Sequence, residues 1–374
     1  MRKLPPIDRP FLLIVMVLVG FGFFLFSSAS LGLLVRDGVR FGTLAFSQFF
    51  LGIVGGGIVA YFNSRIPYKF WRKYSFYFFL IAAIMTLLVF VPGLGYSAGG
   101  ARRWISLGFT SFQPGELLKV AFVIYLAAWF SGVKSKIHTF TYSVVPLVVL
   151  LGVTGAILLS QPDTGTFISI FAAGVAMFFI VGSRWRDISI ITLIGLVAFS
   201  GLVITRPYIK DRVMTYLDPS SDPLGSSYQI QQSLIAIGSG GVWGRGFGQS
   251  IQKFKYLPEP VDDSIFAVVA EEFGFVGSLI LVSLFFALGI RGLIIAYRAP
   301  DVFSSLTVVG VITIIMVGSF TNIASMLSLV PLSGQPLIFI SHGGSALFIS
   351  LFAVGIVLNI SRYSKKVSPA SLNK

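Results

Sequence analysis

Ten apolar segments follow one another along this chain, and most of them are near the roughly 20 residues that a helix needs to cross a bilayer. Their approximate bounds are 11–35, 43–62, 74–91, 116–130, 141–160, 164–182, 188–205, 264–297, 302–330 and 344–360. Charged residues make up 11% of the sequence, whereas a soluble domain carries about 25%. Because no hydrophilic block separates the segments, we predict a single membrane domain over residues 1–374, an all-α bundle of ten transmembrane helices.

The basic residues predict the orientation of this bundle. With the N-terminus inside, most of the 28 Lys and Arg residues fall in short inner segments, which is the positive-inside pattern. We therefore expect both termini in the cytoplasm and one long extracellular loop, about residues 206–261. The same distribution explains the net charge of +14 without a nucleic-acid partner. The first apolar segment exceeds the roughly 7 to 15 residues of a cleavable signal core, so we expect it to be retained.

Missing residue types narrow the chemistry. The chain has no cysteine, which excludes a disulfide framework and thiol catalysis. Its two histidines, His138 and His342, are far apart in sequence, so a histidine-based metal site is not expected. No cofactor is firmly implied, although a divalent cation such as Mg²⁺ or Mn²⁺, held by carboxylates and substrate phosphates, remains open.

Acidic residues concentrate where the long loop meets the eighth apolar segment. Asp262, Asp263 and two glutamates are four of the 14 acids in the chain. One interpretation is that an aspartate caps the helix; the other is that it works in a water-filled cavity. At about 100° per residue, Asp262 would point with the phenylalanines of this segment. Asp263 would share a small, polar helix face with Ala267, Ala270, Glu271, Gly274 and Ser278, which makes it the candidate that faces a cavity.

Charged and polar side chains also occur at the predicted outer ends of other segments. Glu116 and Lys119 are three residues apart and therefore adjacent on one helix face. They either neutralise each other or present charge to a ligand, and a pair that lines a cavity would do both. Asp163 follows one of three Gln-Pro dipeptides, which we expect to fix where helices enter the membrane.

The long loop has its own pattern. Residues 228–237 alternate polar and apolar types, which favours a short helix along the membrane interface. Six glycines follow between Gly238 and Gly248, and they form either flexible turns or a cradle of backbone amides for phosphate. Arg212 and Lys253 are among the cations nearby.

An outward cavity with a carboxylate and several cations, open to lipid, suits an anionic lipid-linked substrate. Arginine side chains would hold a diphosphate, the membrane would hold the lipid tail, and the carboxylate would take a proton. A transporter is the rival interpretation, because intramembrane charges also mark transport paths. It would need polar groups reachable from both faces, whereas the inner halves of the segments are nearly bare of charge.

Several short motifs, in this order, resemble the SEDS proteins (shape, elongation, division and sporulation), which are polytopic peptidoglycan glycosyltransferases. They are Gly100-Ala-Arg-Arg-Trp-Ile105, Gln113-Pro-Gly-Glu116 with Lys119, Gln161-Pro-Asp-Thr-Gly165, Tyr228-Gln229, Gly244-Arg-Gly-Phe-Gly-Gln-Ser250, Tyr256-Leu-Pro-Glu259, Asp263-Ser-Ile-Phe266 and Ile340-Ser-His-Gly-Gly-Ser345. Each motif is weak alone, but the ordered set is specific. The runs 249–259 and 358–362 resemble the division branch more than the elongation branch.

The resemblance implies a ten-span enzyme that polymerises lipid II into β-1,4 glycan strands outside the bacterial plasma membrane, at the division septum. Asp263 would be the general base of an inverting transfer. The residues expected to bind substrate are Arg102, Arg103, Glu116, Lys119, Gln161, Asp163, Arg212, Lys253, Ser341, Gly343 and Gly344. The expected partners are a class B penicillin-binding transpeptidase, other divisome membrane proteins and membrane lipids.

Three alternatives and several departures accompany this prediction. The alternatives are a lipid II flippase without chemistry, a scaffold that binds lipid II without turnover, and an elongation-type polymerase. The family's usual His-Thr-Asp is Val261-Asp262-Asp263 here, which leaves open which aspartate acts. His342 replaces the usual tyrosine of Ser-Tyr-Gly, Gly115 replaces a common serine and Ile338 replaces a proline.

Overall fold

The computed structural model describes residues 5–36, 38–98, 101–106, 108, 111–218 and 226–364. The helices are α1 (Arg9–Ala29), α2 (Leu31–Arg36), α3 (Gly38–Phe46), α4 (Gly56–Asn63), α5 (Tyr68–Leu87), α6 (Pro114–Gly132), α7 (Phe140–Ser160), α8 (Thr164–Ile180), α9 (Trp185–Thr205), α10 (Pro207–Leu217), α11 (Ser226–Ser239), α12 (Gln252–Lys255), α13 (Ile265–Tyr297), α14 (Val302–Met326) and α15 (Gly344–Arg362). A π-helical turn, Ser47–Gly55, joins α3 to α4, and short 3₁₀ turns cover Leu88–Phe90 and Lys134–Lys136.

The apolar segments form the long helices that the sequence predicts. Within the described ranges, nine helices are long and apolar enough to cross a membrane, and α8 is a shorter apolar helix of 17 residues. These ten elements correspond to the ten predicted segments, so the predicted helical membrane protein is confirmed. That all ten cross the bilayer stays a prediction.

A small antiparallel sheet corrects the expectation of an all-helical chain. Its strands β1 (Gly95–Ala98), β2 (Ala101–Ser106) and β3 (Ser111–Phe112) pair in the order β1-β2-β3. Tyr96 pairs with Trp104, and Ile105 pairs with Phe112. Because consecutive side chains of a strand point to opposite faces, Arg102 and Arg103 on β2 face different surroundings.

The predicted long loop contains three helices, α10 to α12, in its described residues. The predicted interfacial helix is present as α11. The glycine run after it is fixed to α13: the backbone amides of Arg245 and Gly246 donate to the carbonyls of Glu271 and Glu272. Gly241 accepts from the amide of Phe275. The amides of Arg245 and Gly246 are therefore already bonded to carbonyls of α13. This argues against the interpretation that these two amides bind phosphate.

Helix α13 begins within one residue of the predicted start of its apolar segment, but neither aspartate belongs to it. It starts at Ile265 after Ser264, and within the described chain no side chain caps it. Asp262 and Asp263 lie in the preceding turn, where the amides of Asp262 and Ser264 donate to the carbonyl of Glu259. The capping interpretation is wrong, and the helical-phase argument for Asp263 does not apply because Asp263 is not helical. A second break, at Gly274 (φ 65°, ψ −162°), divides α13 into an outer and an inner part.

The centre of the bundle is formed by α6, α14 and α15. Helix α14 packs against α6, α8 and α13, and α15 packs against α4 and the π-helical turn. The spanning part of α15 is 83% buried, whereas that of α9 is only 6% buried. Helix α9 therefore lies at the edge of the protein, and the polar side chains enclosed by the bundle belong mainly to the central helices.

Candidate active site

A cavity of about 360 Å³ lies on the side of the bundle predicted to be extracellular. Four long helices, α6, α8, α13 and α15, begin at its wall, and β2 and α10 close it. A helix N-terminus carries partial positive charge and free amides, so this arrangement favours an anionic ligand. The predicted site residues that line the cavity are Arg103, Glu116, Asp163, Arg212, Asp263, Gly343 and Gly344.

Asp263 stands in the turn before α13 and is partly exposed to the cavity. Its main-chain carbonyl accepts a hydrogen bond from the Nδ2 of Asn322, 2.8 Å away. Loss of solvent, followed by the negative charge of Asp262, raises the pKa of Asp263 from 3.8 to about 6, against the opposing charge of Arg212. A carboxyl with such a pKa is ionised at neutral pH and binds a proton more readily than an ordinary aspartate, as a general base requires.

Arg103 and Arg212 face the cavity and are each held by main-chain carbonyls. Arg103 donates from Nε to the carbonyl of Gln161 at 3.2 Å and from Nη2 to that of Pro162. Arg212 donates from Nη1 to the carbonyl of Leu332 at 2.7 Å, and its guanidinium lies 4.4 Å from the ring centre of Tyr208. Since a guanidinium has five donors, each arginine keeps donors for a ligand. The two side chains therefore form a preorganised cationic surface opposite Asp263.

Glu116 and Lys119 form a buried ion pair at the inner end of the cavity. Their Oε1 and Nζ atoms are 2.9 Å apart, and each side chain is 5% exposed. Glu116 lines the main cavity, and both residues line two adjoining water-sized pockets of about 20 Å³ each. The structure shows the self-neutralising pair, and presentation of its charge to a ligand stays a prediction.

Asp163 and the two glycines shape the cavity wall. Asp163 caps α8, accepting from the amide of Thr166 at 3.2 Å and from the Nε2 of Gln113 at 3.3 Å. Gly344 begins α15 directly against Ser47, where a Cβ atom would collide with the serine side chain. The sequence therefore needs glycine at this point for α15 to approach the π-helical turn.

Three predicted substrate contacts do not line the main cavity, although one of them, Ser341, lines an adjoining pocket together with Glu116 and Lys119. Arg102 donates from Nε and Nη2 to the carbonyl of Gly95, both at 3.4 Å. Gln161 is buried and donates to the carbonyl of Thr86 at 2.6 Å. Ser341 donates to the carbonyl of Asp262 at 2.6 Å and accepts from the amide of Leu337. In the structure these three side chains support the loops that carry the site, and contact between them and a substrate stays a prediction.

Lys253 is the largest departure from the predicted site. Its ammonium is fully buried, 2.6 Å from the Oε1 of Glu272 and 2.9 Å from the Oγ of Ser28. Neither Lys253 nor Glu272 lines the cavity. A lysine that is enclosed in this way does not reach the cavity, and its contacts fix the long loop to α1 and α13.

The cavity also contains residues that sequence reasoning did not select. They are Tyr208, Glu259, Asp262, Gln335 and His342. Gln335 belongs to the third Gln-Pro dipeptide, and His342 is a departure from the family motif, so both positions carried a signal. Glu259 ends the Tyr256-Leu-Pro-Glu259 motif, so its position carried a signal as well. Tyr208 carried none, because its side chain reaches the cavity only through the fold of the long loop.

The described residues show no set of protein ligands for the predicted divalent cation. Among the residues that the structure describes, no group of three or more His, Asp or Glu side chains is arranged to hold a metal ion. A bound Mg²⁺ or Mn²⁺ would take most of its ligands from substrate phosphates and water, as Mg²⁺ commonly does. The cation therefore stays a prediction.

Comparisons with known proteins agree with this architecture. The chain is 42% identical over 316 residues to stage V sporulation protein E of Bacillus subtilis, covering 84% of this chain and 86% of that protein. It is 36% identical over 364 residues to a probable peptidoglycan glycosyltransferase FtsW of Geobacter sp., covering 96% and 98%.

Solved structures show the same fold. A chain from a structure on the coordination of polymerization and crosslinking by a peptidoglycan synthase complex superposes with a TM-score of 0.76 at 26% identity, covering 95% of this chain and 98% of that chain. The rod shape determining protein RodA of Thermus thermophilus gives 0.70 at 24% identity, covering 96% and 98%. A family model described as a cell cycle protein and named for FtsW, RodA and SpoVE matches residues 9–366. The chain therefore belongs to the FtsW, RodA and SpoVE family of membrane proteins, the SEDS family that its motifs resemble.

Proposed function

We propose that this protein is a peptidoglycan glycosyltransferase that polymerises lipid II on the outer face of the bacterial plasma membrane. The observation that carries the proposal is the cavity in which Asp263 faces Arg103 and Arg212, at the N-termini of four helices. A base and an anion-binding surface on one cavity are what the transfer of a sugar from a lipid diphosphate requires. The names of the relatives support the reaction class.

Asp263 acts as the general base in this mechanism. Its carboxylate takes the proton of the acceptor's sugar 4-hydroxyl while the hydroxyl oxygen attacks the anomeric carbon of the donor. The bond from that carbon to the diphosphate oxygen breaks, and a β-1,4 bond forms with inversion. A pKa of about 6 leaves the carboxylate ionised at neutral pH and ready to accept the proton.

Arg103 and Arg212 stabilise the negative charge that grows on the leaving diphosphate. Both guanidiniums are already held by main-chain carbonyls, so little reorganisation is needed at the moment of reaction. The partial positive charge at the starts of α6, α8, α13 and α15 acts in the same direction. Glu116, which lines the cavity, and its partner Lys119, which lines the adjoining pockets, would limit the space for the bound substrate.

The proposed setting is the division septum, with a class B penicillin-binding transpeptidase and other divisome membrane proteins as partners. The neighbouring structure of a peptidoglycan synthase complex, which concerns polymerization and crosslinking together, supports a transpeptidase partner. The similarity to a sporulation protein favours spore formation as a second setting for the same reaction. Microscopy of a fluorescent fusion during growth and sporulation separates the two.

Purified fluorescent lipid II, incubated with the protein and its transpeptidase partner, tests the reaction itself. We expect a ladder of glycan strands on a gel, formed also when penicillin blocks crosslinking. Transport of lipid II across vesicles without any ladder would instead support the flippase, and binding without ladder or transport would support the scaffold.

A further inference from the structure

The loop before α15 is fixed to the turn that carries the two aspartates. The amide of His342 donates to the carbonyl of Val261 at 2.7 Å, and the hydroxyl of Ser341 donates to the carbonyl of Asp262 at 2.6 Å. The His342 ring adds a third contact, with Nδ1 3.0 Å from the Oδ1 of Asp262. The main-chain contact of His342 and the hydroxyl contact of Ser341 therefore hold the imidazole next to the carboxylate of Asp262.

The surroundings of the His342 ring determine its hydrogen-bonding form. Its side chain is 16% exposed, and its centre lies 6.0 Å from that of Phe26. Nε2 is buried and has no hydrogen-bond partner within the described residues. A proton on Nε2 would be a buried donor without an acceptor, which is costly, so the ring carries its proton on Nδ1. His342 then donates one directed hydrogen bond, and Asp262 receives it.

Asp262 and Asp263 are neighbouring acids, and they differ in the hydrogen-bond donors that reach their carboxylates. Asp262 has the imidazole donor, whereas no side chain or amide of the described chain donates to the Asp263 carboxylate. The negative charge of Asp262 raises the pKa of Asp263, so the place where the Asp262 carboxylate is held determines how strongly it acts on Asp263. The charged and titratable groups around Asp263 are Asp262 and Glu259 from its own turn, Arg103 from β2, Arg212 and Tyr208 from α10, Asp163, Glu116 and His342.

We propose that His342 is a positioning residue that fixes the Asp262 carboxylate beside Asp263, so that Asp263 is the carboxylate that takes up the proton in catalysis. This inference rests on the proposed role of Asp263 as general base. Asp262 and His342 contact each other directly, with Nδ1 and Oδ1 3.0 Å apart.

The test is the pH dependence of the initial polymerisation rate between pH 4.5 and 8. The variants are Asp262→Asn, His342→Phe, His342→Asn and the double variant Asp262→Asn/His342→Phe. Phe keeps the ring shape without a donor, and the Nδ2 of Asn occupies the position of the histidine Nδ1. Asp262→Asn removes the neighbouring negative charge, and His342→Phe releases the Asp262 carboxylate from its fixed place. Both changes weaken the repulsion that raises the pKa of Asp263, so Asp263 should stay ionised at lower pH.

We expect the acid limb of the profile to move about one pH unit lower in Asp262→Asn, and in the same direction in His342→Phe. His342→Asn should keep the wild-type limb, and the double variant should match Asp262→Asn alone. A wild-type limb in His342→Phe, or a double variant that shifts by the sum of both, would overturn the proposal. Should His342→Phe not fold, an unmoved limb in Asp262→Asn overturns it equally. If Asp263→Asn polymerises like wild type, the general-base role of Asp263 fails instead, and if the wild-type protein forms no glycan strands, the proposed function fails.

Discussion

The side-chain amide of Asn322 joins the turn that carries Asp263 to the loop that precedes α15. Its Nδ2 donates to the main-chain carbonyl of Asp263 at 2.8 Å and to that of Gln335 at 2.7 Å. Asn322 is itself buried on α14, in the centre of the bundle. Asn322 therefore anchors the turn of the proposed base to helix α14. This role requires no contact between Asn322 and the substrate.

Replacing Asn322 with alanine should weaken both stability and catalysis. The change leaves two carbonyls without their donor, at a cost of about 2 kcal/mol, and frees the Asp263 turn, so kcat should fall more than KM changes. Ser319→Ala is the matched control, one helical turn away, because the buried Ser319 Oγ has no partner in the described chain. Thermal unfolding in detergent and steady-state polymerisation measure both effects. If Asn322→Ala and Ser319→Ala had the same unfolding temperature and the same kcat, the anchoring role of Asn322 would be contradicted.

Breaking the buried pair of Lys253 and Glu272 should destabilise the protein without affecting the chemistry. Lys253→Met leaves an uncompensated buried carboxylate, which costs about 3 to 5 kcal/mol. The double variant Lys253→Met/Glu272→Gln should recover most of this loss, because the remaining amide can still bond Ser28. Unfolding temperatures check the order of the three proteins. A Lys253→Met protein that is fully stable but has lost lipid II binding would instead favour the original prediction of a substrate contact.

These residues show what the sequence reveals about such a protein. Apolar length and charge bias are local properties, so the helical segments are predictable. Lys253 and Ser28 are separated by 225 positions, and nothing in either neighbourhood indicates that they meet. Asp263 was selected through a helical phase that it does not have, and it lines the cavity because the turn after Glu259 directs it there. The sheet that aims Arg103 was missed because its strands are short and end in turns.

The two cavity arginines should be more sensitive to substitution than their neighbour. Arg103→Lys and Arg212→Lys keep the charge but lose the planar set of donors, and each should lower kcat/KM about a hundredfold. Arg102→Lys is the control, because Arg102 bonds the carbonyl of Gly95 outside the cavity. Polymerisation rates at several lipid II concentrations give kcat/KM for the three variants and so measure these effects. An effect of Arg102→Lys as large as those of the other two would argue against the assignment.

The raised pKa of Asp263 predicts opposite effects of pH on activity and on stability. Below about pH 6 the base becomes protonated, so the rate should fall tenfold per pH unit. The native state binds this proton more tightly than the unfolded state, so the charged form opposes folding as pH rises from about 4 through 6. Asp263→Asn should therefore be more stable than wild type by on the order of 2 kcal/mol at pH 8. The difference in unfolding free energy between Asp263→Asn and wild type should vanish toward pH 4. A difference that does not change with pH would refute this prediction.

The most direct test compares Asp263→Asn with Asp262→Asn and Asp211→Asn in lipid II polymerisation at pH 8, with folding and lipid II binding measured in parallel. Asp211 is an exposed aspartate on α10 and serves as the control. We predict that Asp263→Asn binds lipid II but polymerises it at least a hundredfold more slowly, that Asp262→Asn stays within about tenfold of wild type, and that the control is unaffected. Normal glycan chains from Asp263→Asn, or their loss only in Asp262→Asn, would contradict the assignment of Asp263 as the general base.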